Sequence, residues 1–119
     1  MKADNIIQSK SYSFALKIIE VYKQLHQDKE FDLSSQLLRS GTSTGANVEE
    51  AIGAHSKKDF LSKMTIAYKE ARETKYWLRL LTDSQILNSD QVRSMFLDIE
   101  EILKIIGSIQ RSVKGSINS

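Results

Sequence analysis

The sequence has 119 residues, the size of one ordinary globular domain, and that length can bury a core without disulfide bonds or a structural metal. The absence of cysteine excludes a disulfide framework, a zinc–thiolate site and a thiol nucleophile. The formal net charge of +2 neither requires nor excludes a nucleic-acid partner. No apolar run has the length of a membrane span or of a signal-peptide core, so we expect a cytoplasmic protein without membrane contact.

The first predicted helix covers residues 11–27 and follows a short arm over residues 1–10. It is apolar on two faces more than 100° apart. The predicted core face comprises Tyr12, Ala15, Leu16, Ile19 and Tyr22. The second apolar face comprises Phe14, Ile18, Val21 and Leu25. Because a helix of a monomeric bundle needs one apolar stripe, the second face favours an oligomer interface. A broad core stripe with some exposed aliphatic residues is the alternative.

The second predicted helix covers residues 33–54 and contains the glycine-rich run RSGTSTGAN. As a helix, it presents one face made of Leu37, Gly41, Thr44, Gly45, Val48, Ala51 and Ile52. Each of the two glycines costs an isolated helix about 1 kcal/mol relative to alanine. The unbroken apolar stripe nevertheless favours a helix, in which small residues let a neighbouring helix approach closely. A flexible loop is the alternative that this composition allows.

A polar stripe runs along the opposite face of the second helix. It consists of Arg39, Ser43, Asn47 and Glu50. Because the chain turns at His55 and Ser56, an antiparallel hairpin determines which residues of the next helix face this stripe. Arg39 should then form an ion pair with Glu70 or Glu73, and Glu50 should pair with Lys63. We expect these pairs, within one chain or across a subunit boundary, to fix the register and to have no catalytic role.

The third predicted helix covers residues 57–83, with Ser56 and Asp59 placed as a capping pair. Its core face comprises Phe60, Met64, Ala67, Ala71, Thr74, Leu78 and Leu81. A separate apolar group adds candidates for an oligomer interface: Ile66, Trp77 and Leu80. The cations on another flank are candidates for nucleic-acid binding: Lys58, Lys69, Arg72, Lys75 and Arg79. A solvated surface with ion pairs along the helix is the alternative for these cations.

The fourth predicted helix covers residues 90–113 and has the most regular apolar spacing in the chain, with fraying expected from Gly115 onward. Four periodic segments and three short connections predict an all-α, antiparallel up-and-down four-helix bundle in a single domain, 1–119. We expect no catalytic site, no metal site and no bound cofactor, and therefore no enzymatic activity. Neither His26 nor His55 has the glutamate three residues before it that di-iron bundles use.

Two stretches, QLLRSGTSTGANVEEA and SKKDFLSKMTIAYKEARETKYWLRLL, closely resemble the four helix bundle protein family. This family is also named after the 23S rRNA intervening sequence, because some members are encoded inside such insertions. The resemblance covers about residues 11–107 and implies an antiparallel bundle, usually a homopentamer, without established enzymatic activity. The family is also similar in fold to accessory proteins of diversity-generating retroelements, which bind nucleic acid and a reverse transcriptase. This sequence departs from the family pattern at Thr44, where a bulky aliphatic residue is usual, and in the connection HQDKEFDL, which lacks a frequent proline.

Two functional classes remain open. The first is a homo-oligomeric scaffold that recruits a protein partner. The second is an oligomer that binds RNA or DNA through the basic flank of the third helix, which five copies would repeat around a ring. The near balance of acidic and basic residues and the small number of aromatic residues argue against the second class.

Overall fold

The computed structural model of the chain describes residues 2–118, and the side-chain surroundings of residues 5–117. It contains four helices: α1 (Lys2–Gln27), α2 (Phe31–Ile52), α3 (Lys57–Asp83) and α4 (Ser89–Asn118). Each helix packs against the next one and α4 packs against α1, within an envelope of 50 × 21 × 19 Å. The described residues contain no strand, and the predicted all-α, up-and-down four-helix bundle is confirmed.

The ends of three helices differ from the prediction, and α2 begins and ends two residues earlier than the predicted 33–54. Helix α1 begins at Lys2, so an arm over residues 1–10 is wrong for all the residues that the structure describes. Ile7, buried in the core, lies two turns before Phe14 on the same side of the helix and gives the early turns of α1 an apolar anchor. Helix α4 runs to Asn118, beyond the predicted end at residue 113 and the fraying expected from Gly115. The bounds of α3 agree with the prediction, and Ser56 Oγ accepts a hydrogen bond from Asp59 N at 3.0 Å.

The two apolar faces of α1 lie the opposite way round from the prediction. The bundle core contains Phe14, Ile18 and Leu25, and Val21 packs against it. The predicted core residues Tyr12 and Leu16 are instead 65% and 51% exposed. The predicted interface residues of α1, namely Phe14, Ile18, Val21 and Leu25, are therefore occupied within their own chain. The reason is the packing of α1 against α2, because the glycines of α2 leave room for the bulkier side chains of this face, such as Ile18.

Helix α2 continues without a break through its glycine-rich run. A Cβ added at Gly41 would lie 2.7 Å from Ile18 Cγ1, and one at Gly45 would lie 3.3 Å from the carbonyl oxygen of Ser11. Both distances are too short for ordinary packing, so the absent side chains allow α1 to rest on the backbone of α2. Thr44 is buried beside them, and its hydroxyl donates to the Ser40 carbonyl oxygen at 2.9 Å. The departure from the family pattern at Thr44 therefore leaves no unsatisfied hydroxyl in the core.

Candidate functional site

A basic groove runs between α3 and α4 on one side of the bundle, with a volume of about 650 Å³. Five cations line it: Arg72, Lys75 and Arg79 from α3, and Lys104 and Arg111 from α4. The lining contains a single carboxylate, that of Glu100, and two tyrosines, Tyr68 and Tyr76. Because both helices contribute positive charge, an anion in the groove would face cations on two sides. We call this surface the basic groove.

Helical spacing explains why these side chains meet. On α3, the three cations of the groove lie three to seven residues apart, which places them on one face. On α4, Lys104 and Arg111 lie seven residues apart, and Gly107 lies between them on the same face. A Cβ added at Gly107 would lie 3.4 Å from Arg111 Nη1 and 3.8 Å from Tyr68 Cε2. The glycine therefore keeps the floor of the groove open beside the Tyr68 ring.

Glu100 is the counter-charge inside the basic groove. Its carboxylate pairs with the ammonium group of Lys75 across the two helices. The hydrogen bond and the positive charge of Lys75 lower the pKa of Glu100 below its usual value, against a small desolvation effect, and Lys104 lowers it further. Glu100 therefore stays ionised at neutral pH. Arg72, Arg79 and Arg111 make no ion pair with the residues that the structure describes.

The structure separates the five cations that the sequence proposed for nucleic-acid binding. Three of them line the basic groove: Arg72, Lys75 and Arg79. Lys58 and Lys69 are exposed on α3 outside the groove lining. The five cations therefore do not form one surface, and their binding of nucleic acid stays a prediction.

Sequence reasoning missed the contribution of α4 to this groove. Lys104 and Arg111, two turns apart on one face of α4, carried a signal of the same kind as the cations of α3. Tyr68 and Tyr76 were also missed as residues of a basic surface. The relative rotation of α3 and α4 decides whether the two basic faces meet. This rotation follows from core packing, which the spacing of residues within one helix does not specify.

The polar stripe of α2 lies against α3, as the hairpin register predicts. Arg39 Nη1 is 2.9 Å from Glu70 Oε2, and Arg39 also pairs with Glu73. At the other end, Lys63 Nζ is 3.3 Å from Glu50 Oε2. All these ion pairs lie within one chain.

The middle of the polar stripe bonds mainly to its own helix. The side-chain amide of Asn47 donates to the carbonyl oxygen of Ser43 at 2.9 Å and to its hydroxyl at 3.1 Å. On the facing helix, Trp77 Nε1 donates to Glu73 Oε2 at 2.9 Å. Glu73 thus joins the Arg39 cluster to the Trp77 ring. That the stripe fixes register and does not catalyse stays a prediction.

Arg39→Ala should lower the free energy of unfolding by about 1–2 kcal/mol, because it leaves two neighbouring carboxylates without their shared cation. Glu70, the more buried of the two, has a side chain only 15% exposed. Removing Arg39 and Glu70 together should cost less than the sum of the single changes, by at least about 0.5 kcal/mol. Urea denaturation of the two single variants and the double variant measures this coupling. Strictly additive losses well under 1 kcal/mol, with an unchanged oligomer mass, would make the stripe a solvated surface where Arg39 and Asn47 could meet a ligand.

The remaining interface candidates lie on α3. Ile66 and Leu80 are each partly exposed, and Trp77 is half-buried against the core. They remain available for contact with another chain.

Within the part of the chain that the structure describes, no group of three or more His, Cys, Asp or Glu residues is placed to hold a metal ion. None of the helices, over residues 2–118, is long and apolar enough to cross a membrane.

The fold and the groove define a small antiparallel four-helix bundle with one basic side. The profile of the 23S rRNA-intervening sequence protein family matches residues 3–108, and the chain belongs to this family. Among solved structures, the chain is similar to a protein of unknown function from the S23 ribosomal protein family of Bacteroides thetaiotaomicron VPI-5482. The two share 46% sequence identity with a TM-score of 0.88, over 92% of this chain and 98% of that chain. No curated protein matches the chain. The family predicted from the sequence motifs is therefore confirmed.

Proposed function

We propose that this chain is a non-enzymatic binding protein that binds nucleic acid through the basic groove. The observation that carries the proposal is the gathering of five cations and one carboxylate on two facing helix walls. Lysine and arginine contacts to phosphates supply most of the affinity of such proteins. The whole chain carries a net charge of only +2, so the support comes from where the charges lie and not from their total.

The test is the affinity of the purified chain for fluorescent oligonucleotides, measured by anisotropy at several salt concentrations. RNA and DNA single strands and a DNA duplex of the same length are compared. With about four phosphates engaged, log K for a single strand should fall against log salt with a slope of about −3. Binding that is absent at low salt for every oligonucleotide would contradict the proposal. A homo-oligomeric scaffold that recruits a protein partner would then be the better proposal for the function of this chain.

Self-association is supported by a different observation, the presence of exposed apolar side chains on two sides of the bundle. Tyr12 and Leu16 lie one turn apart on the outer side of α1, and Ile66 and Leu80 are exposed about 21 Å apart along α3. Helices α1 and α3 do not contact each other, so they stand diagonally across the bundle. Different apolar side chains on separated faces suit a head-to-tail contact between copies, which can close into a ring.

We therefore propose a homo-oligomer, with the homopentamer usual in the family as the expected number, acting in the cytoplasm. Its test is the solution mass by light scattering at micromolar concentration, and a sharp monomer mass would reject it. A ring would repeat the basic groove once in every subunit. Repeated grooves can bind one nucleic-acid strand with an avidity that exceeds the affinity of a single groove.

A further inference from the structure

We infer that the basic groove takes single-stranded nucleic acid in preference to a duplex, with a base stacked on the ring of Tyr76. This inference rests on the proposed nucleic-acid binding and names the form of its ligand. Proteins that bind single strands combine a basic groove along the backbone with aromatic rings that stack on bases. Both elements are present on this side of the bundle.

Tyr76 stands at the edge of the groove between two guanidinium groups. Arg72 lies four residues before it and Arg79 three residues after it, so all three share one face of α3. The Tyr76 side chain is 52% exposed, which leaves ring surface for a base. Its ring centroid is 5.2 Å from that of Trp77 in an edge-to-face contact, and this contact holds the ring in position. A base on the ring would therefore have a cation on either side for its flanking phosphates.

The width of the groove also favours a single strand. Helices α3 and α4 pack directly against each other, with axes about 8–10 Å apart in such packing, so the groove is a valley between touching helices that a duplex, whose major groove alone is about 12 Å wide, is too broad to enter. A duplex would reach only the edges of the groove. A single strand can lie between the walls and meet the cations of α3 and of α4. The α3 wall from Tyr68 to Arg79 is about 16 Å long, at 1.5 Å per residue, which is enough for a few nucleotides.

The Glu100 carboxylate pairs with the ammonium group of Lys75, which a phosphate of a bound strand would also contact. A strand that enters must compete with this carboxylate for the ammonium group. Glu100→Gln removes the competing charge and the local repulsion of phosphates. This change should raise the affinity for any nucleic acid that binds in the groove by a few-fold, whether it is single-stranded or duplex.

The decisive comparison is Tyr76→Leu against Tyr76→Phe in the full chain. Tyr76→Leu should weaken the binding of single-stranded RNA and DNA by about tenfold, since an aromatic stacking partner is lost. Tyr76→Phe keeps the ring and should stay within about twofold of the unchanged chain. Duplex binding should be weaker than single-strand binding and indifferent to both changes. Circular dichroism of each variant checks that the helices are intact.

The outcomes separate this inference from the proposed function. Equal single-strand affinities for Tyr76→Leu and Tyr76→Phe, or a duplex that binds as tightly as a single strand, would overturn the inference. A gain from Glu100→Gln in the same experiment would still support binding in the groove. An absence of binding by every oligonucleotide, with or without Glu100→Gln, would overturn the proposed function and the inference together. The RNA and DNA strands distinguish recognition of the ribose 2′-hydroxyl from contact with the shared phosphates and bases.

Discussion

Replacing Phe14 with alanine should lower the free energy of unfolding by about 3–5 kcal/mol. The Phe14 side chain is 1% exposed and lies in the core of the bundle. Truncation removes the buried ring and leaves a cavity that the surrounding helices fill only in part. Domains of this size are stable by about 5–15 kcal/mol, so the expected loss is a large part of the total. Chemical denaturation followed by circular dichroism measures it.

Leu16→Ala is the matched control, because Leu16 lies two residues away on the same helix and is half exposed. Its effect on the unfolding of the single chain should stay within about 0.5 kcal/mol. If Leu16 contacts a second copy, the oligomer mass should change while the helical content does not. A small loss for Phe14→Ala, together with a change in oligomer mass, would instead return Phe14 to the predicted subunit interface.

Helix α1 shows why a pattern of apolar residues does not by itself identify the core. Both of its faces are apolar, and spacing alone cannot rank two such stripes. The deciding information lay in α2, where Gly41 leaves a hollow that a bulky residue such as Ile18 must fill. Tyr12 carries a hydroxyl group that is easily satisfied by water, which favours the outer face. Matching hollows on one helix to bulky side chains on the next would have given the correct assignment.

The register between α2 and α3 was predictable because it depends on few quantities. A short turn near His55 fixes the level of each helix against the other, and the ion pairs of Arg39 and of Glu50 follow from counting residues. The basic groove depends in addition on the rotation of α4 about its own axis. That rotation is set by the packing of the apolar face of α4 against α3 and α1. Lys104 and Arg111 were therefore not assigned to the surface formed by the cations of α3.

Reversing two charges in the basic groove should have the largest effect on binding. The double variant Arg72→Glu/Arg79→Glu should lower the affinity for a single strand at least a hundredfold in 50 mM salt. Two phosphate contacts are lost, and two carboxylates now repel the strand. For two contacts, the slope of log K against log salt should become shallower by about 1.4. Fluorescence anisotropy over a salt series measures both quantities.

Lys23→Glu/Lys58→Glu is the control for this prediction, since it changes the net charge of the chain by the same amount at exposed positions on α1 and at the start of α3, away from the groove lining. Near physiological salt the Debye length is about 8 Å, so distant charges act weakly on a strand held in the groove. We therefore expect the control to reduce affinity no more than about threefold in 150 mM salt, with little change in slope. Equal losses from both double variants would mean that the strand responds to the net charge of the chain, and the groove would no longer be the binding site.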